Sequence, residues 1–156
     1  MNNRYKIGLF VVLGSILLFF IYVYSIFYFG SINVSDEIKD NYQSEINKIK
    51  SNFSSLNEIN VSIKFVNLSE GSAEAHRLPF KGYEIVVDLG KLNNISDIQL
   101  RGLFAHELSH IEYYKSISWM QLMIFTLKYS FVDSFRVEVE KETDLASIEN
   151  TKKYNG

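Results

Sequence analysis

The pentapeptide His106-Glu107-Leu108-Ser109-His110 constrains the fold of this chain more than any other feature of its sequence. Two histidines four positions apart lie on the same face of an α-helix, one turn apart, where both imidazoles can bind a single metal ion. The glutamate beside them is placed to take a proton from a water molecule that the metal activates. Such a chain must build a helix with one face open to a metal and to a further ligand.

The residues around the pentapeptide indicate this helix. Ser96 and Gln99 have the spacing of a capping box, in which the serine begins the helix and the glutamine reaches back to it. Apolar side chains then recur at helical spacing, at Leu100, Phe104, Leu108 and Ile111. We therefore predict an amphipathic helix that buries this stripe and carries the two histidines on its flank. A surface helix with incidental histidines is the alternative.

A second segment can supply the ligand that two histidines and a water leave open. The acidic run Glu138–Ser147 follows a possible helix N-cap at Asp133 or Ser134 and contains no helix breaker, which predicts a second helix of about four turns. Glu140 and Asp144, four positions apart, face the same point. We expect Glu140 to bind the metal and Asp144 to accept a hydrogen bond from the far nitrogen of a ligating histidine. A solvated acidic face is the alternative interpretation.

The two motifs together resemble those of the gluzincin peptidases, and in particular the HtpX-type membrane proteases, the CAAX prenyl proteases and the single-domain minigluzincins. The second motif of the HtpX and CAAX branch typically reads E-x-x-A-D-x-x-A. This chain matches it at Glu140 and Asp144, but has Thr143 where alanine is usual, and Ala146 comes one position early. The resemblance covers about residues 60–150, and its specificity lies almost entirely in the two motifs.

This resemblance implies a small α+β, zincin-like domain with a helix, a short β-sheet, the HExxH helix and a glutamate-bearing helix. It implies that His106, His110 and Glu140 bind Zn²⁺, that Glu107 is the general base and that Asp144 supports the site. The expected activity is zinc-dependent hydrolysis of a protein or peptide substrate. The residue that stabilises the transition state stays open among four candidates, which are Tyr113, Tyr114, Tyr129 and His76.

The N-terminal part of the chain has a different character. Residues 7–29 form an uncharged run dominated by Leu, Ile, Val, Phe and Tyr. As a helix this run is about 34 Å long, enough to cross a hydrocarbon core of about 30 Å. A signal peptide would have a shorter apolar core and a small-residue cleavage site, and neither is evident. We predict a retained, single-pass transmembrane anchor.

The charges on either side of this segment predict its orientation. Arg4 and Lys6 precede it, whereas Asp36 and Glu37 are the first charged residues after it. The positive-inside rule then places residues 1–6 in the cytoplasm and the domain of residues 30–156 outside it.

A second apolar stretch, Ile117–Val132, lies between the two motifs. It is short for a membrane span and contains Gln121 and Lys128. A single crossing here would also separate Glu140 from the histidines. Two alternatives remain, a helix buried in the fold or a helix at the bilayer interface with Trp119 as anchor. Short apolar runs are more often core, which favours burial.

The segment before the HExxH helix predicts a scaffold of one helix and two strands. Residues 36–57 have apolar side chains at helical spacing, and residues 60–66 and 83–89 have the patterns of strands. Residues 69–81 read as a loop, with His76 as an exposed loop residue rather than a ligand. Zincins commonly bind substrate along an edge strand. Residues 83–89 are either that strand or an ordinary interior strand.

Composition limits the other functions of the chain. A formal charge of −2 without a basic cluster argues against nucleic-acid binding, and the absence of cysteine excludes disulfides and thiolate chemistry. Two rival classes remain beside the peptidase. One is a catalytically silent, zinc-binding module tethered to the membrane for interaction or signalling. The other is a structural protein in which HExxH is accidental.

Overall fold

The computed structural model describes Gly14, residues 30–78 and residues 82–152, and these described residues form five α-helices and one three-stranded sheet. Contacts divide the chain into two compact units, Met1–Ile32 and Asn33–Gly156. The elements, all in the second unit, are α1 (Asp36–Lys50), a 3-10 turn (Ser54–Leu56), β1 (Val61–Phe65), β2 (Ala73–Leu78), β3 (Gly82–Val87), α2 (Leu89–Leu92), α3 (Asp97–Ser116), α4 (Trp119–Phe131) and α5 (Asp133–Lys152). The prediction of a small α+β domain is confirmed.

The long helices begin where their capping residues dictate. The Ser96 hydroxyl accepts a hydrogen bond from the Gln99 N–H, and the Gln99 side chain accepts one from the Ser96 N–H, so the predicted capping box begins α3. Ser118 and Gln121 repeat this arrangement at the start of α4. This second capping box lies two residues after the end of α3, so it begins α4 as a separate helix.

The sheet has the order β1-β3-β2, in which β3 pairs parallel with β1 and antiparallel with β2. β3 is therefore central, so of the two alternatives left open for residues 83–89 the substrate-binding edge strand is excluded. Its run Ile85-Val86-Val87 is buried, as is typical of a strand covered on both faces. The interior-strand alternative describes it correctly.

Among the described strands, β1 and β2 lie at the two edges of the sheet, and β2 falls in a segment that the sequence predicted to be a loop. Residues Ala73 and Ala75 face inward and are buried, while Glu74 between them is exposed. His76 follows on this strand with its side chain 18% exposed, so its expected position as an exposed loop residue is also wrong. Two small alanines supply little hydrophobic signal, which is why the alternation of this strand is hard to recognise in the sequence.

The core lies between the sheet and helices α1 and α3. The predicted apolar stripe on α3 is confirmed, because its residues Phe104, Leu108 and Ile111 are fully buried in the core. The Tyr42 ring on α1 meets the Phe65 and Phe104 rings edge-on, with centroids 5.8 and 6.2 Å away. This packing fixes α3 against the sheet, so the face that carries the histidines is held rigidly.

The predicted transmembrane anchor, residues 7–29, lies outside the described residues except for Gly14. Among the helices that the structure describes, none has the length and apolar character needed to cross a membrane. The apolar stretch Ile117–Val132 forms α4, and burial, the outcome favoured for it, holds for one face alone. Leu122 and Phe125 are buried, whereas the opposite face is exposed to solvent.

Arg77 fastens the edge strand to the C-terminal end of α3. Its Nη1 donates hydrogen bonds to the backbone carbonyls of Tyr114 and Ile117, both at 2.7 Å. Its guanidinium also lies 4.6 Å from the centre of the Trp119 ring at the start of α4. One side chain thus satisfies carbonyls that a helix end leaves open and links three elements.

Replacing Arg77 with alanine is expected to lower the free energy of unfolding by about 2 to 3 kcal/mol, because it removes charge-assisted hydrogen bonds from two half-buried carbonyls. The measurement is urea unfolding of the full chain, followed by circular dichroism. Arg101→Ala is the matched control, since Arg101 bonds to Glu45 on an exposed surface and its loss should cost about 0.5 kcal/mol. Equal costs for the two variants would contradict the role of Arg77.

Candidate metal centre

Helices α3 and α5 pack against each other and bring His106, His110 and Glu140 to one point. The His106 Nε2 lies 3.1 Å from one Glu140 oxygen, and the His110 Nε2 lies 3.5 Å from the other. The two imidazole rings are 4.8 Å apart and nearly perpendicular, at 78°. His110 and Glu140, which are 30 positions apart in the sequence, therefore belong to one cluster. Helix α3 contributes its two histidines and helix α5 contributes Glu140.

The geometry of this cluster fits a metal ion. One ligand atom from each of the three residues lies within 4.8 Å of the others. Nitrogen and oxygen ligands about 2.1 Å from a tetrahedral ion are separated from each other by about 3.4 Å. The 3.1 and 3.5 Å separations between the histidine nitrogens and the Glu140 oxygens lie close to this value. The group can hold a metal ion once its ligand atoms draw together from separations of up to 4.8 Å.

Asp144 orients His106. Its Oδ1 lies 2.8 Å from the His106 Nδ1, one helical turn beyond Glu140 on α5. A carboxylate accepts but does not donate, so the Nδ1 carries the proton and the Nε2 lone pair is directed at the cluster. The structure thus places Asp144 where the sequence pattern predicted it.

Thr143 gives His110 a comparable partner. The Thr143 hydroxyl donates a hydrogen bond to the Val139 carbonyl at 2.8 Å, and its oxygen lies 3.4 Å from the His110 Nδ1. Because the hydroxyl proton is already donated to Val139, the oxygen can only accept a hydrogen bond from the His110 Nδ1–H. The His110 Nε2 then points to the same cluster as the Nε2 of His106. In the sequence, Thr143 is only a departure from the alanine that is usual at this position of the HtpX and CAAX motif. The sequence gives no sign of its contact with His110.

Tyr129 and Tyr114 are the two tyrosines that the structure brings next to the cluster. The Tyr129 hydroxyl, on α4, donates a hydrogen bond to Glu140. The Tyr114 ring stacks on the His110 ring at 5.9 Å. Burial raises the pKa of both hydroxyls, and the nearby Glu140 and Glu107 carboxylates raise it further, so both stay protonated as donors.

The other two candidates contact residues outside the group of His106, His110 and Glu140. Tyr113 is 44% exposed and packs on the Phe125 ring, with centroids 5.1 Å apart. The His76 Nε2 lies 3.2 Å from Glu74, its neighbour but one on β2, and His76 is not a member of the metal-binding group. Of the four residues left open by the sequence, Tyr114 contacts His110 and Tyr129 contacts Glu140.

Glu107 is buried beside the cluster, with 5% of its surface exposed. Burial raises the pKa of its carboxyl to about 8, and the charges of Glu140 and Glu74 act in the same direction. A hydrogen bond from the backbone of Ala75 opposes this rise by favouring the carboxylate. The pKa of the Glu107 carboxyl therefore lies about one unit from neutral pH. A pKa in this range suits a group that must both take and return a proton.

His110 is kept neutral by its surroundings. Burial lowers the pKa of its imidazole to about 4, and the nearby His106 lowers it further. A neutral imidazole keeps the lone pair that a metal requires, since metal binding competes with protonation. The cluster is thus prepared for a cation at neutral pH.

Comparison with protein-family models finds no match for this chain, and comparison with curated proteins finds none either. The assignment of a function therefore depends on the motifs and on the geometry of the cluster.

Replacing Thr143 with valine, which has nearly the same shape, is expected to weaken zinc binding about tenfold, because partners behind a histidine ligand typically contribute 10- to 100-fold in affinity. Competition with a fluorescent zinc chelator measures the Kd. Thr126→Val, at an exposed threonine of α4, is the matched control. Unchanged affinity in the Thr143 variant would mean that its 3.4 Å contact with His110 does not orient the ring.

Proposed function

We propose that this chain is a membrane-anchored, zinc-dependent metalloendopeptidase of the gluzincin type. The observation that supports it best is the convergence of His106, His110 and Glu140 from two helices, with Glu107 buried at the same place. The ligand set, two histidines and one carboxylate, is typical of catalytic zinc sites that keep one position open. Residues 7–29 anchor the protein as a single membrane span, and the domain of residues 30–156 lies outside the cytoplasm.

The reaction is the addition of water to a peptide carbonyl. His106, His110 and Glu140 would hold the zinc ion, which would supply a Lewis acid that lowers the pKa of water toward neutrality and polarises the carbonyl. Glu107 accepts a proton from the attacking water as the C–O bond forms, and gives it to the leaving nitrogen as the C–N bond breaks. Asp144 holds the His106 ring in place throughout.

The substrate binds as an extended peptide along β2. This strand lies at an edge of the described sheet and packs against α3. Its Ala75 backbone bonds to Glu107, so the edge of the strand runs past the general base. Main-chain pairing with such an edge gives affinity that is largely independent of sequence. We accordingly assign substrate pairing to β2, in place of the central strand β3.

The negative charge that develops on the carbonyl oxygen needs a hydrogen-bond donor. Burial raises the pKa of the Tyr114 and Tyr129 hydroxyls, and the nearby Glu107 and Glu140 carboxylates raise it further, so both hydroxyls keep their protons. We assign transition-state stabilisation to Tyr114, whose ring stacks on His110, because the Tyr129 hydroxyl already donates its proton to Glu140. A donor aimed at a developing oxyanion is worth several kcal/mol.

Removal of the metal tests this function. The full chain, purified in detergent, should contain one zinc per chain and should cleave members of a random peptide library. Treatment with 1,10-phenanthroline should abolish the cleavage, and stoichiometric zinc should restore it. Zinc without any metal-dependent cleavage would favour the catalytically silent module. A folded chain without zinc affinity would leave HExxH a coincidence.

A further inference from the structure

Helix α4 has two faces of opposite environment. Leu122 and Phe125 pack into the domain, and Tyr129 on the same side reaches Glu140. The opposite side carries large apolar residues, which are Met120, Met123, Ile124, Leu127 and Phe131, with between 48% and 82% of their surface exposed. We call these five residues the α4 stripe.

The α4 stripe is a continuous surface. Its members recur at intervals of three and four residues, so they line one side of the helix over its whole length. Isolated exposed apolar residues are ordinary, but a contiguous patch of this kind marks a surface that another apolar body covers. The described domain leaves this face without a partner of its own.

The residues around the α4 stripe indicate the kind of surface that covers it. From Tyr113 to Val132 the sequence contains Lys115 and Lys128 and no acidic residue. Trp119, which is 43% exposed, begins the helix. The Lys115 ammonium donates to the Ser55 carbonyl and the Lys128 ammonium lies 5.7 Å from the centre of the Phe135 ring, so neither lysine is assigned to headgroups. A tryptophan beside a row of exposed apolar side chains is itself characteristic of helices that lie in a membrane interface.

The position of the domain in the chain brings it close to a bilayer. The predicted anchor ends at residue 29, and α1 begins at Asp36. The intervening backbone spans at most about 25 Å when fully extended. A domain tethered so closely meets the lipid surface at a far higher effective concentration than it meets a second protein.

We propose that the α4 stripe docks on the lipid bilayer in which the chain is anchored, with its side chains between the headgroups and the acyl chains. The proposal rests on the proposed anchor, residues 7–29, and is independent of the proposed hydrolysis. Its consequence for the site is direct. The Tyr129–Glu140 bond lies on the inner side of the same helix, so docking holds the candidate metal centre about one helix diameter, some 10 Å, from the membrane surface.

The test uses Trp119, which is the only tryptophan of the chain. The full chain is reconstituted in vesicles of phosphatidylcholine with a minority of phosphatidylglycerol, with acyl chains either unmodified or brominated near the headgroup. Bromine quenches only an indole in close contact with the lipid. We expect brominated vesicles to quench most of the Trp119 emission.

A pair of charge substitutions shows whether the α4 stripe causes this quenching. The double variant Met123→Glu/Leu127→Glu should lose most of the quenching while it still floats with the vesicles and retains the zinc content of the parent. Ile98→Glu is the matched control, because Ile98 is 81% exposed on α3, outside the stripe, and the quenching should be unchanged.

Three outcomes would overturn the proposal. Parent chains that float with the vesicles but show no quenching would mean that the domain stands away from the lipid. Equal quenching in the parent and the double variant would place the contact elsewhere. A parent that does not float would refute the anchor on which the proposal rests, without bearing on zinc or hydrolysis. Because the chain has no cysteine, disulfide dimers formed by Met123→Cys, together with absent quenching, would assign the stripe to a second copy.

Discussion

Glu107→Gln is expected to abolish peptide hydrolysis while zinc stays bound. The amide cannot take the proton from water, so kcat should fall by about 100- to 10,000-fold. The ligands His106, His110 and Glu140 are untouched, and the amide fits the buried space that the carboxylate occupies. Cleavage of a peptide identified in the library screen, at saturating substrate, gives kcat, and metal analysis gives the zinc content.

Glu142→Gln is the matched control for this variant. Glu142 is exposed on α5, close in sequence to Glu140 but outside the metal-binding group, so kcat should stay at the parental value. Cleavage by Glu107→Gln at the same rate as the parent would sink the assignment of Glu107 as general base. Circular dichroism spectra that superpose for all three proteins exclude misfolding as the cause of any loss.

Glu140→Ala is expected to lose zinc, and with it all hydrolysis. The two histidines alone leave the ion with half of a tetrahedral set of ligands. The affinity should therefore fall by more than the about 10- to 100-fold that partners behind a ligand contribute. The measurement is the zinc content of the purified full chain after dialysis, with the Kd from chelator competition.

Glu138→Ala and Glu142→Ala distinguish ligand loss from a general loss of negative charge. Both glutamates are exposed on α5, two residues on either side of Glu140, and each substitution removes the same charge. Both variants should keep one zinc per chain. Zinc retained equally by Glu140→Ala would move the third ligand elsewhere, and His76→Ala would be the next variant to measure.

The parts of this structure that were predictable from the sequence depend on local contacts. Ser96 and Gln99 are three residues apart, so their capping box follows from helix geometry alone. The spacing of His106 and His110, and of Glu140 and Asp144, fixes which side of each helix they share. These relations need no knowledge of how the helices pack.

The edge strand β2 shows where sequence patterns were insufficient. Its inward residues, Ala73 and Ala75, are too small to stand out as a buried strand, and their burial depends on the close approach of α3. The exposure of the α4 stripe could not be predicted from the sequence for a related reason. An apolar helix reads the same in sequence whether the domain covers one of its faces or both.

The sequence by itself determined that two histidines with the spacing of metal ligands lie on a well-capped helix, and that a glutamate and an aspartate share a face of a later helix. Only the tertiary structure decided that these faces meet, that Thr143 and Tyr129 hold His110 and Glu140, and that β2 rather than β3 runs past Glu107. The physical reason is the range of the interactions. Backbone periodicity acts over four residues, whereas these contacts depend on packing between elements that the chain brings together from 11 to more than 30 residues apart.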